Sequence, residues 1–155
     1  MDNLIVRASD SNDLDWLYDL HEAAHRELVE QAYGPWAEAQ QREFFAPLVD
    51  DHEVFVLERE GRRVGAAYLG LRDGDTWLEL VEIDPGAQGL GLGSYLLRWV
   101  IERSETAGRG TLLKVHRVNT RAHSLYLRTG FLPAGQDETH HLLRHPQAGT
   151  VAASG

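Results

Sequence analysis

The chain has 155 residues, of which 43% are hydrophobic and 25% charged, and its net charge at pH 7 is −9. This length suits one domain with a real core, and the negative charge argues against nucleic acid as the main partner, because phosphate binding needs a basic surface. The chain has no cysteine, which excludes thiol catalysis and cysteine metal sites. No apolar run approaches the ~20 residues of a membrane span, and the N-terminus lacks a signal peptide's basic start, so we expect a cytoplasmic protein without a membrane partner.

The first third of the chain predicts one strand and two helices. Residues 4–8 alternate weakly, as a strand does, and apolar side chains then recur at helical spacing over residues 14–29. Pro35 suits the first turn of a second, short helix that ends at Phe44 or Phe45.

The middle of the chain predicts an antiparallel meander. Three runs rich in β-forming residues are separated by turn signals, one of which is Asp73-Gly74. The predicted strands cover residues 54–59, 64–71 and 76–83.

The second half of the chain predicts alternating helices and strands. Helical periodicity marks the two helices, and glycines end them. The predicted elements are a helix over residues 91–107, a strand over 111–115, a helix over 119–129 and a last strand region over 131–143. The tail, residues 146–155, is small and polar, and we expect it to be disordered.

The most informative segment lies between the third strand of the meander and the helix that follows. A proline ends the strand, and three alternate glycines lead into the helix. Glycine allows close backbone approach and positive φ, and the first N–H groups of a helix form an anion site together with the helix dipole. The segment therefore predicts a pyrophosphate-binding loop.

Three phosphate-binding patterns compete for this loop. A P-loop needs a Gly-Lys-Ser/Thr sequence, and the loop has no lysine. A dinucleotide loop needs G-x-G-x-x-G/A, but the sixth position counted from Gly89 is Ser94. The third pattern, Gln-x-x-Gly-x-Gly, is satisfied by Gln88, Gly91 and Gly93.

In this pattern the chain resembles the GNAT superfamily of N-acetyltransferases, whose pyrophosphate loop has the form Q/R-x-x-G-x-G/A after a strand. Ile83-Asp84-Pro85 before the loop also matches the family. A second block agrees about 30 residues downstream, and its matching residues are Val115, Asn119, Ala122, Leu125, Tyr126, Gly130 and Phe131.

The resemblance implies an α/β fold with a mixed central sheet of six to seven strands, an antiparallel meander in its first half and about four flanking helices. It covers residues 4–144, so we expect a single domain over residues 1–145. A homodimer is also expected, because dimers are frequent among similar enzymes.

The resemblance further implies that acetyl-CoA is the co-substrate. The strand that carries Val81 and Ile83 would splay from its neighbour, and backbone groups of these two residues would pair with the pantetheine arm. The pyrophosphate would bind to the loop and to the start of the following helix, through Gln88, Gly89, Gly91, Gly93 and Ser94.

Two residues near the second block are candidates for chemistry. Tyr126 matches a tyrosine that related enzymes use to protonate the departing CoA thiolate, although a core aromatic on an amphipathic helix is the alternative. Asn119 matches an asparagine that contacts the cofactor, and a helix N-cap is an equally sensible role. The two positions are seven residues apart, near one helical face.

The resemblance implies that a general base, where such an enzyme uses one, lies in the third strand of the meander, although many enzymes of this family manage without a dedicated base. Glu79 lies four residues before Ile83 and faces the same side as Val81 and Ile83 if the strand is regular. Glu82 is the second choice, because it faces the other side unless a bulge turns it. A solvated acid on a sheet face is the alternative for either residue.

Two further groups of residues are candidates for binding a metal or the acceptor. His21 and His25 have the i, i+4 spacing of a helical metal site, but no third ligand is obvious in the sequence, so no metal is expected. Tyr33 and Trp36 flank the Gly34-Pro35 break, a region that lines the acceptor pocket in the family. They either stack on an acceptor or cover the core.

The sequence thus predicts an acetyl-CoA-dependent N-acetyltransferase acting on a primary amine of a small molecule or peptide, by direct transfer. The alternative within the same fold is a non-catalytic acyl-CoA-binding sensor or interaction module. A nucleotide-dependent enzyme is disfavoured because neither of the two nucleotide patterns is complete.

Overall fold

The computed structural model describes residues 3–147, which form four helices and seven strands. The helices are α1 (Leu14–Tyr33), α2 (Glu38–Asp50), α3 (Leu92–Thr106) and α4 (Thr120–Thr129). The strands are β1 (Leu4–Ala8), β2 (Glu53–Arg59), β3 (Arg62–Arg72), β4 (Asp75–Ile83), β5 (Thr111–His116), β6 (Leu132–Gln136) and β7 (His140–His145). They form one mixed sheet in the order β1-β2-β3-β4-β5-β7-β6, which confirms the predicted fold class.

Both ends of the second helix were predicted wrongly. Helix α2 begins at Glu38, after Pro35, and does not end at Phe44 or Phe45 but continues to Asp50, with Pro47 inside its last turn. Proline lacks an N–H, yet its carbonyl still accepts a hydrogen bond, here from the N–H of Asp51 at 2.8 Å. A proline so close to the end of a helix therefore costs one hydrogen bond without stopping the helix.

The described residues group into two compact units. The first comprises the chain up to Leu69 together with Leu80–Leu96, and the second comprises Gly70–Glu79 together with the chain from Leu97 onward. The single domain expected over residues 1–145 stays a prediction. Of the tail that was expected to be disordered, residues 148–155 lie outside the described part of the chain.

The first unit places helices α1 and α2 over an antiparallel sheet. Strand β2 pairs with β1 on one side and with β3 on the other. The helices contribute their apolar faces, and the strands contribute alternate side chains. The core they share is made of Leu17, Tyr18, Leu20, Phe45, Val54, Val56, Ala66 and Tyr68. Burial of each of the larger side chains contributes about 1.5–3 kcal/mol to the stability of the fold.

The second unit is built around β5. This strand pairs in parallel with β4 at Thr76–Leu78 and antiparallel with β7, which in turn pairs with β6. Three buried hydroxyl groups form hydrogen bonds with one another in this unit. Ser104 Oγ lies 2.8 Å from Thr76 Oγ1 and accepts a hydrogen bond from Thr111 Oγ1 at 3.0 Å. No helix within residues 3–147 has the length and apolar character required to cross a membrane.

A buried aspartate organises the start of the first unit. Asp13 is 1% exposed, and its two carboxylate oxygens accept hydrogen bonds from Arg7 NH1 and NH2, both at 2.9 Å. Arg63 Nε lies 3.0 Å from the same group, and the N–H of Asp10 donates to it at 2.8 Å. The hydrogen bonds from Arg7 outweigh burial and lower the pKa of Asp13 to about 2.

Replacing Asp13 with asparagine should destabilise the protein in a pH-dependent way. The folded-state pKa of about 2 lies below the ordinary 3.8, so ionised Asp13 stabilises the fold above about pH 4, and this contribution disappears as the pH falls toward 2. We expect Asp13→Asn to lower the free energy of unfolding by about 2 kcal/mol at pH 7. Urea titrations at pH 7 and at about pH 2.5 measure the difference, which should shrink in acid.

The matched control is Asp15→Asn, because Asp15 is an exposed acid two residues further along. This change should alter stability by less than about 0.5 kcal/mol at either pH. A difference between Asp13→Asn and wild type that is equally large in acid would contradict the assignment.

Candidate active site

The loop between β4 and α3 has the conformation that its glycines predict. Gly89 and Gly91 adopt positive φ angles of 83° and 74°, which side chains other than glycine rarely adopt. A Cβ placed on either residue would meet nothing within 4 Å. The loop is exposed from Gln88 to Gly91, so its backbone borders open space in which a ligand can lie.

The first N–H groups of α3 face the same region. The N–H of Tyr95 makes the first helical hydrogen bond, to the carbonyl of Gly91 at 3.0 Å. The N–H groups of Leu92, Gly93 and Ser94 precede it, and a helix offers such groups no partner of its own. Together with the positive end of the helix dipole they make a site for an anion such as a pyrophosphate.

Strand β4 carries both glutamates that are candidates for a base. Thr76, Leu78 and Glu82 are buried, whereas Glu79 and the other residues of the strand are half-buried. Trp77 Nε1 donates a hydrogen bond to Glu79 Oε2. The face that Glu79 is expected to share with Val81 and Ile83 stays a prediction.

Glu82 is not a solvated acid. Its side chain is 0% exposed, and Oε2 lies 2.8 Å from Nδ1 of His21 and 2.6 Å from Nε2 of His25. Burial alone would raise the pKa of Glu82, but the two histidines outweigh it and hold this pKa below its usual value. Burial would likewise lower the pKa of His25, and the charge of Glu82 raises it.

The two aromatic residues proposed for the acceptor pocket have different environments. Trp36 is 9% exposed, and its ring centroid lies 6.2 Å from that of His21. Its indole Nε1 donates a hydrogen bond to Glu38 Oε2 at 3.2 Å. Tyr33 is 68% exposed. Trp36 thus covers the histidine pair, and Tyr33 presents its ring to solvent.

Asn119 and Tyr126 lie at the start and near the end of α4. Asn119 is the N-cap, and its Oδ1 accepts a hydrogen bond from the N–H of Ala122 at 3.1 Å. Tyr126 is half-buried, with its ring centroid 5.7 Å from that of Phe131. Burial raises the pKa of Tyr126 to about 12, so its hydroxyl keeps its proton at neutral pH. The N-cap role of Asn119 is confirmed, and the roles of both residues toward a cofactor stay predictions.

The contact of Glu82 with the histidine pair is the arrangement that sequence reasoning missed. The i, i+4 spacing of His21 and His25 indicated one shared helix face, and strand alternation indicated that Glu82 points away from Glu79. Neither signal relates α1 to β4, because the partners are 61 residues apart in the chain.

The model of the acetyltransferase (GNAT) family matches residues 18–131, and the chain belongs to this family. A search of curated proteins finds no match.

Solved structures of similar fold agree with this family. The PaiA N-acetyltransferase of Thermoplasma acidophilum in complex with coenzyme A superposes with a TM-score of 0.76 at 15% identity, covering 93% of this chain and 99% of that one. The ribosomal-protein-S18-alanine N-acetyltransferase of Escherichia coli has a TM-score of 0.73 at 24% identity, covering 96% and 97%. A chimera of spermidine N-acetyltransferase SpeG from Vibrio cholerae and hSSAT has a TM-score of 0.71 at 18% identity, covering 94% and 96%.

Replacing Gly91 with valine should remove CoA binding without unfolding the protein. A β-branched residue resists the φ of 74°, and its side chain would project into the open space beside the loop. We expect CoA affinity to fall by more than about tenfold, which is about 1.4 kcal/mol of binding free energy. Calorimetric titration of folded protein with CoA measures this change.

Gly108→Val is the matched control, because Gly108 follows the other end of α3 with the same φ of 74° and a Cβ there also meets nothing within 4 Å. Both variants should lose similar stability, whereas CoA affinity should fall only for Gly91→Val. Equal affinities in the two folded variants would show that the loop is not the phosphate site.

Proposed function

We propose that this protein is an N-acetyltransferase that moves the acetyl group of acetyl-CoA directly to a primary amine of a small molecule or peptide. The observation that carries the proposal is the exposed loop with positive φ at Gly89 and Gly91, immediately before the N-terminus of α3. Membership of the GNAT family supports it, as does the coenzyme A bound to the similar PaiA enzyme.

The cofactor is proposed to bind along the end of β4 and the start of α3. The pyrophosphate would accept hydrogen bonds from the backbone of Gly89, Gly91 and Gly93 and from the start of the helix, with Gln88 and Ser94 beside it. Backbone groups of Val81 and Ile83 would pair with the pantetheine arm. Asn119 would add a contact through its side chain while still capping α4.

The proposed chemistry is one acyl transfer. The amine nitrogen attacks the thioester carbonyl, a C–N bond forms and the C–S bond breaks, and CoA leaves as the thiolate. The amine must lose a proton, and we propose that the Glu79 carboxylate accepts it, directly or through water. A backbone N–H would stabilise the oxyanion. The departing thiolate is stabilised by the Tyr126 hydroxyl, to which we assign a hydrogen bond to sulfur.

The raised pKa of Tyr126 limits how much it contributes. A phenol with a pKa of about 12 does not fully protonate a thiolate, because free thiols have a pKa near ~8.5. The hydroxyl instead donates a hydrogen bond as negative charge develops on sulfur. We therefore place its contribution at the low end of general-acid effects.

The acceptor is proposed to be an amine that lies near Tyr33 and Trp36. The net charge of −9 favours a cationic acceptor. Enzymes of similar fold are named for chemically different amines: one is the ribosomal-protein-S18-alanine N-acetyltransferase and another a chimera of spermidine N-acetyltransferase. We also propose that the protein forms a homodimer and is located in the cytoplasm, as the sequence leads us to expect.

Acetyl-CoA should raise the melting temperature of the full chain, because a ligand that binds only the native state stabilises it. Thermal melts with and without saturating acetyl-CoA measure the shift, and NAD and ATP serve as controls that should leave the melting temperature unchanged. Thiol release from acetyl-CoA over a panel of amines, including a polyamine and a peptide with a free N-terminus, then tests catalysis.

The outcomes separate the alternatives. Stabilisation with thiol release for at least one amine supports the enzyme. Stabilisation without release across the panel would favour the non-catalytic acyl-CoA-binding module. No response to acetyl-CoA combined with a response to NAD or ATP would contradict both.

Tyr126→Phe should lower kcat by about tenfold to a hundredfold and leave CoA affinity nearly intact. The change removes one hydroxyl and keeps the ring, so its packing against Phe131 is retained. Single-turnover kinetics with the best amine measure the chemical step. The Gly108→Val variant is the control and should retain wild-type turnover. A Tyr126→Phe variant that also turns over at the wild-type rate would show that Tyr126 only packs in the core.

A further inference from the structure

Helix α1 carries a histidine pair that the proposed acetyl transfer does not use. His21 and His25 belong to the run His-Glu-Ala-Ala-His, and their ring centroids lie 4.9 Å apart. Two histidines at this spacing on one helix face are a zinc-binding arrangement, provided that a third ligand comes from elsewhere. No metal is expected from the sequence alone, because no third ligand is obvious in it.

Glu82 supplies the third donor from the end of β4. One atom each from His21, His25 and Glu82 lies within 4.8 Å of the others. Zinc–nitrogen bonds of about 2.0–2.1 Å and zinc–oxygen bonds of about 2.0–2.2 Å place tetrahedral ligand atoms roughly 3.3 Å apart. The two contacts of 2.8 and 2.6 Å to Glu82 Oε2 would therefore open by about half an ångström around an ion.

The contact between His25 and Glu82 is of the kind expected between two ligands of one ion. His25 Nε2 is buried and has no hydrogen-bond partner within the described chain, although Glu82 Oε2 is only 2.6 Å away. A contact this short that does not meet the geometry of a hydrogen bond is compatible with two ligands of one ion. Ligands that share a metal approach one another obliquely, because each aims its lone pair at the ion.

Further buried polar groups surround this carboxylate. Glu82 Oε1 and the hydroxyl of Tyr68 are both buried without a hydrogen-bond partner in the part of the chain described. Each such group costs about 1–3 kcal/mol if nothing satisfies it. A cation at the carboxylate would offset the buried charge of Glu82.

We propose that His21, His25 and Glu82 bind one divalent transition-metal ion, for which zinc is the best match. Two imidazole nitrogens and one carboxylate oxygen form a donor set that zinc favours, with a fourth position left for water. Glu82 is fully buried, whereas the His25 side chain is 22% exposed and provides the route of entry.

The ion has a structural role in this proposal. In metalloproteases with the His-Glu-x-x-His run, the glutamate acts as a general base. Here the corresponding Glu22 pairs with Arg26, with Oε2 3.1 Å from NH1. The ion would thus fasten α1 to the end of β4, one residue before Ile83.

The test uses the full chain, stripped of metal with a chelator and without acetyl-CoA. Zinc chloride is titrated calorimetrically, and cobalt(II) is added separately as a spectroscopic probe. We expect one ion per chain, visible d–d absorption of tetrahedral intensity with cobalt, and a higher melting temperature with zinc. His25→Gln and Glu82→Gln should weaken zinc binding by more than about 100-fold, since even changes to outer partners of metal ligands cost 10- to 100-fold.

The matched control is His52→Gln. His52 lies in the same unit but bonds through Nδ1 to the carbonyl of Leu48, outside the cluster, and should bind zinc as the wild type does. Because the His25 side chain is partly exposed whereas Glu82 is fully buried, the His25 variant should stay folded if Glu82→Gln does not. Failure of the wild type to bind zinc, or equal zinc affinity in His25→Gln and His52→Gln, would overturn the proposal and leave a metal-free hydrogen-bonded cluster. Neither result bears on the acetyl-CoA assays.

Discussion

A carboxylate without access to water is the main physical constraint on the first unit. Glu82 cannot remain ionised in an apolar core unless partners compensate its lost hydration, and His21 and His25 are the partners that helix α1 brings to it. The position of α1 against the end of β4 is therefore tied to a polar contact as well as to apolar packing.

The neighbouring strand sets a second limit on this region. A Cβ at Gly65 of β3 would lie 2.9 Å from the carbonyl oxygen of Glu82 and 2.7 Å from Cδ1 of Ile83, so no larger residue fits there without movement. The N–H of Asp84 donates to the carbonyl of Val64 at 2.8 Å, just before the glycine-rich loop. The loop thus begins from a backbone that is fixed against β3, which suits a site that must hold an anion in one place.

The two sides of the proposed chemistry differ in how they use the chain. In the proposal, anion binding rests on backbone N–H groups and on the φ angles of Gly89 and Gly91, which require glycine but no reactive side chain. Proton transfer would rest on two single side chains, those of Glu79 and Tyr126, and on the environment of each. The loop can therefore be recognised from the pattern of its glycines, whereas the groups proposed for proton transfer leave no comparable pattern.

Local patterns in the sequence determined the elements, the loop and the class of protein. Helical and strand periods, the Asp73-Gly74 turn and the alternate glycines act through backbone sterics over a few residues, so they can be recognised without a partner. Proline position was less decisive: α2 continues past Phe45 because Pro47 falls in its last turn. Only the tertiary structure decided that Glu82 is buried against His21 and His25, because a contact across 61 residues depends on how α1 packs on β4 and leaves no periodic signal in the chain.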